Sequence, residues 1–317
     1  MDALVAEDVG RRYGDTVALD GVSLQVAAGD VFALVGPNGA GKTTLVRALT
    51  GTTDATGSIS VLGEPPRAVD RERLGLLPQD FTPPERLTAR ELLTFYAGLY
   101  DDARDPTALM ATVGLDETAA DTYYENLSGG QQRRTCVGAA LVNDPEVLFL
   151  DEPTTGIDPA GRRALWDVLE DLADAGTTIF LTTHDMAEAE RLADRVGLLA
   201  DGDLLAVDTP AALVQEYGGE QVLRVGTDAT EVPPLDYEAD LVDGTLTVRN
   251  VPPTAIGEVV ADLETAGVAY DELTWTEPDL EDVYLALAGT DGEAAASGPP
   301  VTGTQSSVVA GEGGGNA

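Results

Sequence analysis

Three residue types that often mark functional sites are nearly absent from this chain of 317 residues. It has one cysteine, Cys136, one histidine, His184, and one lysine, Lys42, so arginine supplies all but one of its 18 basic residues. A single cysteine excludes an internal disulfide and a zinc site built from cysteines. We expect Cys136 to be a small buried residue on a helix, where free cysteine usually lies.

Long apolar segments are also missing. The apolar runs, such as 31–35 and 196–200, are far shorter than the ~18 residues that a membrane span requires. The first residues, MDALVAEDVG, are acidic and lack the basic region that opens a secretion signal. We therefore expect a cytosolic chain, or one held by a partner at the cytoplasmic face of the cell membrane.

Basic charge is scarce, and this excludes another class of function. With 56 acidic and 18 basic residues, the formal net charge is −38. Such a surface repels duplex nucleic acid, so nucleic acid is not expected as a partner. Because 43% of the residues are hydrophobic, the acidity does not indicate a disordered chain. The acids are spread over the whole chain, which favours a salt-accumulating halophile, where a Debye length of ~3 Å at molar salt screens like charges.

The length predicts about two domains. Apolar strands alternate with helices over residues 1–215, which predicts an α/β fold with a mostly parallel sheet covered on both faces. The stretch 83–143 reads as helical and interrupts this alternation, so we expect a separate helical lobe there. The pattern of residues 216–289 predicts a small α+β domain. Residues 290–317 are rich in Gly, Ser, Ala and Pro, which predicts a disordered tail. The strands and helices expected in the small domain lie at 221–225, 245–248, 255–266, 269–275 and 280–288.

The only lysine lies in a phosphate-binding motif. Residues 36–43 match G-x-x-x-x-G-K-[ST] between an apolar strand and a helical run. Its glycines let backbone N–H groups converge on phosphate oxygens, and the helix adds its positive N-terminal end. Lys42 would reach the β- and γ-phosphates, and Thr43 would hold Mg²⁺. The predicted nucleotide contacts in this loop are Gly36, Pro37, Asn38, Gly39, Ala40, Gly41, Lys42, Thr43 and Thr44.

Two adjacent acids, Asp151 and Glu152, follow the apolar run 147–150. Phosphoryl transfer requires a group that holds the metal and one that orients or deprotonates the nucleophile. We predict that Asp151 serves Mg²⁺ through water and that Glu152 is the general base. These parts alone define a P-loop NTPase and leave a kinase or a GTPase open.

A second anion site, Leu127-Ser128-Gly129-Gly130-Gln131, opens the helix that follows it. One γ-phosphate cannot easily use two such sites of the same chain unless they face it from opposite sides. At this point the chain resembles the ATP-binding cassette family, in which this pentapeptide is the signature. The resemblance implies a RecA-like cassette that binds ATP and Mg²⁺ and pairs head to tail, with itself or with a second cassette. The signature of one subunit then closes on the phosphate cradle of the other.

Four further residues match that family. Tyr13 resembles the aromatic residue that stacks on adenine, and Gln79 the glutamine that senses Mg²⁺ and couples to the membrane subunit. Asp158 resembles the loop aspartate that crosses the dimer interface, and His184 the switch histidine on the γ-phosphate. From the residues alone, Tyr13 could be packing and Gln79 a solvated side chain. His184 follows the strand after the acids, at the edge where such sheets bind ligands, which favours a catalytic role.

Residues 86–100 and the segment EPDLEDVY at 277–284 are similar to parts of multidrug exporters of the daunorubicin-resistance type. The resemblance implies export of a drug-like small substrate through a separate membrane permease. An importer subunit and a soluble cassette ATPase are the alternatives. The region after residue 215 argues against an importer, and the single cassette without a coiled-coil insertion argues against a soluble factor. A helix at 277–288 that merely packs on its own domain is equally compatible with this segment.

We predict that the protein loses structure in dilute buffer, because its acidic residues repel one another over a longer distance when salt is low. The melting temperature, followed by circular dichroism, should rise between low salt and molar KCl. An identical melting temperature in both solutions would contradict this interpretation.

Overall fold

The computed structural model describes residues 1–289, so the tail expected at 290–317 lies outside the described residues. The strands are β1 (Asp2–Tyr13), β2 (Thr16–Ala27), β3 (Val31–Val35), β4 (Thr56–Val61), β5 (Leu74–Leu77), β6 (Val147–Asp151), β7 (Thr178–Thr183), β8 (Arg195–Ala200), β9 (Asp203–Asp208), β10 (Val222–Thr227), β11 (Ala239–Val242), β12 (Thr245–Arg249) and β13 (Tyr270–Thr276). The helices are α1 (Lys42–Leu49), α2 (Ala89–Ala97), α3 (Pro106–Thr112), α4 (Glu117–Ala120), α5 (Gly129–Ala140), α6 (Pro159–Asp174), α7 (Met186–Leu192), α8 (Pro210–Tyr217), α9 (Ile256–Thr265) and α10 (Leu280–Ala288).

The central sheet has the strand order β5-β6-β7-β3-β8-β9. All its neighbours pair in parallel except β8 and β9, which form an antiparallel hairpin. Both faces are buried, as β3 shows: Val31, Ala33 and Val35 join one hydrophobic cluster. Phe32 and Leu34 join the cluster on the opposite face. The predicted α/β fold with a mostly parallel sheet is confirmed.

A second sheet, antiparallel with the order β2-β1-β4, covers one face of the central sheet together with α1. Three phenylalanine rings fill the layer below it. Phe32 stacks on Phe180 with ring centroids 5.4 Å apart, and Phe149 lies 5.9 Å from Phe180. Sequence analysis predicted strands in this region, but it did not predict that they form a sheet separate from the central one.

The stretch 83–143 contains four helices, α2 to α5, that pack on one another and on the other face of the sheet. Helix α2 begins with a capping box in which Thr88 and Glu91 each bind the backbone N–H of the other. Cys136 is buried on α5 as expected, with its Sγ 3.3 Å from the hydroxyl of Tyr124.

The C-terminal sheet is antiparallel, with the order β11-β12-β10-β13, and α9 packs on one face of it. Strand β11 was not predicted, because it is a short edge strand next to several acidic residues. Its turn into β12 uses Asp243 and Gly244, both with positive φ, and this Asp-Gly pair is a hairpin signal that the analysis missed.

Helix α10 packs on α7 and α8 rather than on this C-terminal sheet. Its buried residues Leu280 and Val283 belong to the core cluster of the central sheet. The backbone N–H of Leu280 donates to Glu190 Oε1 at 2.7 Å. The chain therefore returns from the C-terminal sheet to the helices that pack on the central sheet. Among the described residues, no helix combines the length and the apolar character needed to cross a bilayer.

Candidate functional site

The phosphate-binding loop lies between β3 and α1, with Pro37, Asn38 and Gly39 exposed at its crest. A Cβ atom at Gly36 would lie 2.1 Å from the carbonyl oxygen of Leu199. At Gly41, where φ is +111°, it would lie 2.3 Å from a backbone oxygen. Both positions therefore require glycine, because any side chain would push the loop away from the neighbouring backbone.

Lys42 is almost completely buried beneath this loop. Its Nζ donates to the carbonyl oxygens of Gly36 at 2.7 Å and Pro37 at 3.1 Å. Nζ also lies 3.3 Å from Glu152 Oε1, and that carboxylate is 7% exposed. The loop and the acid pair are thus joined by the only lysine of the chain.

The acid pair sits where β6 ends, beside β7. Asp151 Oδ1 accepts a hydrogen bond of 2.5 Å from the Thr182 hydroxyl. Glu152 has φ +48°, a left-handed conformation that costs a non-glycine residue about 1–3 kcal/mol. Its N–H donates to both the carbonyl and the hydroxyl oxygen of Thr182, each at 3.1 Å. This strained turn directs the Glu152 side chain away from the strand.

The Glu152 carboxylate is the centre of the site. Besides Lys42 on Oε1, its Oε2 accepts from Gln79 Nε2 at 3.2 Å and from Thr155 Oγ1 at 3.1 Å. His184 Nδ1 lies 3.5 Å from the same oxygen, on a side chain that is 51% exposed. The structure thus brings together four residues that sequence analysis placed in the catalytic or phosphate site.

The predicted magnesium ligands fit a hard cation. Thr43 lies in the first turn of α1, and Asp151 ends β6, a strand that α1 contacts. Together with Gln79 they offer hydroxyl, carboxylate and amide oxygens, which Mg²⁺ prefers. No group of three or more His, Cys, Asp or Glu side chains within residues 1–289 could hold a metal alone. In nucleotide sites Mg²⁺ is usually held by one or two side chains together with phosphate oxygens, which a bound ATP would supply here.

The signature lies apart from this cluster. Ser128 is the N-cap of α5 and forms a capping box with Gln131. Gly130 faces Gly161 on α6 so closely that an added Cβ would be 2.7 Å from the Gly161 Cα. In the described part of the chain, no hydrogen bond or ion pair joins Ser128, Gly129, Gly130 or Gln131 to the phosphate-binding loop.

Asp158 and Tyr13 are also exposed. Asp158 caps α6 by accepting from the N–H groups of Ala160 and Gly161, both at 2.9 Å, and these bonds lower the pKa of its carboxyl group. Tyr13 ends β1 with 44% of its surface exposed. The Arg11 guanidinium carbon lies 4.7 Å from its ring centroid, a cation–π contact. Hydrogen bonding by Thr53, and less by Arg11, lowers the pKa of the Tyr13 phenol.

Sequence analysis missed the residues that support this site. Glu188 on α7 is completely buried and accepts from Thr154 Oγ1 at 3.1 Å and Trp166 Nε1 at 3.0 Å. Burial raises the pKa of its carboxyl group. Arg162 on α6 pairs with Asp185, the residue after His184, at 2.5 Å. No local signal distinguishes these charged residues from the many others on helix surfaces.

Comparisons with known proteins identify the family of this chain. The family model described as "ABC transporter" matches residues 19–155. The daunorubicin resistance ATP-binding protein DrrA3 of Streptomyces coeruleorubidus is 39% identical and aligns over 91% of this chain and 96% of its own. The Nod factor export ATP-binding protein I of Rhizobium meliloti (strain 1021) is 39% identical over 91% of this chain and 89% of its own. A bacterial ABC transporter cassette solved as a dimer is 25% identical, with a TM-score of 0.58 over 65% of this chain and 98% of its own.

The fold and the site define a P-loop ATPase. The chain belongs to the ATP-binding subunits of the ABC transporter family, whose members bind and hydrolyse ATP with Mg²⁺.

We predict that Gly130→Ala lowers the free energy of unfolding by about 1–3 kcal/mol, the usual range for overpacking, because α5 and α6 must separate. Gly129→Ala is the matched control, since its methyl group would meet Ile157 Cγ2 at 3.7 Å, an ordinary contact. Urea unfolding in molar KCl measures both variants. Equal stabilities would contradict the close packing of the signature on α6.

Proposed function

We propose that this chain is the ATP-hydrolysing motor of an exporter, with Glu152 as the general base. The observation that carries the proposal is the contact of one buried carboxylate with Lys42, Gln79 and His184. When a water attacks the γ-phosphorus, its proton passes to Glu152 and the bond to the β–γ bridging oxygen breaks. His184 and Lys42 then stabilise the charge on the phosphate oxygens.

The remaining predicted residues bind the nucleotide and the metal. The loop from Gly36 to Thr44 cradles the phosphates, and Tyr13 stacks on adenine. Thr43, Gln79 and, through water, Asp151 would hold Mg²⁺, which would supply charge neutralisation when bound. When ATP binds, Lys42 exchanges its present partners, two backbone carbonyls and the Glu152 carboxylate, for the phosphates.

Head-to-tail pairing supplies the parts that one chain cannot bring to its own nucleotide. Ser128 and Gly129 are exposed, and the next residue, Gly130, packs against Gly161 of α6 rather than against the loop that contains Lys42. Asp158 is exposed on the same surface. A second cassette, identical or different, would present its own signature to this cradle. The solved dimer of a related cassette supports this arrangement.

Export is supported by the two kinds of relative, one named for daunorubicin resistance and one for Nod factor export. Both alignments cover 91% of this chain, so they extend beyond the cassette at 1–215 into the unit proposed at 216–289. The transported substrate is a small molecule that passes through a separate permease, with this chain at the cytoplasmic face of the membrane. The acidic surface is an adaptation to a salt-rich cytosol.

A patch on the helical lobe is suited to the permease. We define the lobe patch as Leu76, Phe81, Phe95, Tyr96 and Leu99. Leu76, Phe95 and Leu99 are 39%, 53% and 64% exposed. Their neighbours Phe81 and Tyr96 have ring centroids 5.8 Å apart and line a cavity beside β5. Exposed apolar side chains grouped in this way are typical of a protein interface.

Replacing Glu152 with Gln preserves its shape and removes the base. We expect Glu152→Gln to bind ATP normally while kcat falls by about 100-fold or more, the usual range for a general base. In molar KCl, size-exclusion chromatography should show an ATP-dependent dimer of this variant. Hydrolysis at the wild-type rate would rule out Glu152 as the base.

The control for this experiment is Lys42→Ala, which removes the buried ammonium group from the cradle. This variant should bind ATP weakly and therefore should not form the ATP-dependent dimer. An unchanged affinity for ATP would count against the cradle.

The double variant Phe95→Ser, Leu99→Ser should no longer co-purify with the co-expressed permease, because the apolar contact surface is lost. Its ATPase activity without the permease should stay within about twofold of wild type, since these exposed residues lie outside the site. Val242→Ser, at a position 65% exposed on β11, is the matched control. Co-purification of the double variant at the wild-type level would exclude the lobe patch as the contact surface.

A further inference from the structure

Arg133 connects the signature helix to the acid pair. It lies on α5, and its guanidinium reaches the end of β6. Nη2 donates to the carbonyl oxygens of Asp151 at 3.1 Å and Glu152 at 3.0 Å, and Nε donates to that of Pro153 at 2.7 Å. One side chain thus binds three consecutive carbonyls through the planar fork of donors of its guanidinium.

These bonds hold the peptide whose conformation is strained. Glu152 has a left-handed φ, and its N–H is held by Thr182 on β7. Arg133 holds the carbonyl on the other side of the same residue. The direction of the Glu152 side chain therefore depends on contacts from two elements, β7 of its own sheet and α5 of the helical lobe. Burial lowers the pKa of the Arg133 guanidinium, as expected for a group removed from water to make these bonds.

Arg133 lies on the same helix as the signature, so it can pass a movement of the signature to the acid pair. Ser128 caps the start of this helix, and Arg133 follows five residues later, about 7.5 Å along a rigid helix. A displacement of the signature therefore moves the guanidinium together with it. The three carbonyls lie directly beside the general base.

We propose that Arg133 is a positioning residue that couples the signature of a chain to the general base of the same chain. This inference rests on the proposed function. In the head-to-tail pair, the signature contacts the ATP in the partner's cradle, whereas Glu152 acts on the ATP in its own. Arg133 therefore links the two nucleotide sites, so that ATP bound at one site sets the geometry of the base at the other.

The neighbouring Arg134 provides a matched control on the same helix. Its Nη1 donates to the carbonyl oxygens of Val113 and Gly114 in the helical lobe, so it also binds backbone carbonyls. Arg133→Met and Arg134→Met each remove guanidinium bonds to carbonyls. Only the first removes a contact with the acid pair.

The experiment measures ATPase kinetics of the full chain in molar KCl for wild type, Arg133→Met, Arg133→Lys and Arg134→Met. We expect Arg133→Met to lower kcat by about tenfold to 100-fold, the cost of a small misplacement of a catalytic group. Its KM should change by less than about threefold, because the cradle is intact. Cooperativity in ATP, seen as a Hill coefficient above unity in wild type, should be lost. Arg133→Lys should recover part of kcat, and Arg134→Met should keep both properties.

Melting temperatures of all variants test the purely structural explanation. Both methionine variants should lose similar stability while only Arg133→Met loses kcat and cooperativity. The proposal would be overturned if kcat fell in both methionine variants in proportion to their loss of melting temperature. A wild-type rate or retained cooperativity in Arg133→Met would also overturn it. Wild-type protein without ATPase activity would instead contradict the proposed function.

Discussion

The buried carboxylate of Glu152 requires partners, and the arrangement of the surrounding segments supplies them. Removing a charge from water costs several kcal/mol unless opposite charge and hydrogen bonds replace the lost hydration. Lys42 comes from α1, Gln79 from the loop after β5, and His184 from the loop after β7. These loops meet at the carboxyl edge of a parallel sheet, where such folds bind ligands. Assembly of the sheet therefore also assembles the site.

Close contacts extend from this centre to the signature. Gly130 on α5 faces Gly161 on α6 without room for a side chain between them. The exposed Asp158 caps the start of α6, and Arg162 of the same helix pairs with Asp185, the residue after His184. The segments that would meet a partner's nucleotide are thus packed against those that would act on the chain's own. This packing is the contact through which the proposed coupling of the two sites would act.

Sequence reasoning predicted the central sheet well, because strands buried on both faces are continuous apolar runs. It was less successful where local patterns are weak or where the partner of a segment is distant. Strand β11 is short and lies at an edge, so its sequence alternates little. Helix α10 was expected in the C-terminal unit, yet Leu280 and Val283 are buried in the core of the central sheet. Its amphipathic pattern predicts a buried face but does not identify what covers it.

The sequence by itself determined the phosphate-binding loop, the acid pair after the apolar run and the signature. Each is a contiguous motif whose chemistry requires particular residues at fixed spacing. Only the tertiary structure decided that Gln79 and His184 share an oxygen of Glu152, and that Arg133 binds the carbonyls beside it. Contacts between segments distant along the chain depend on the order of the strands and the packing of helices on them. The sequence of each segment alone carries no record of that geometry.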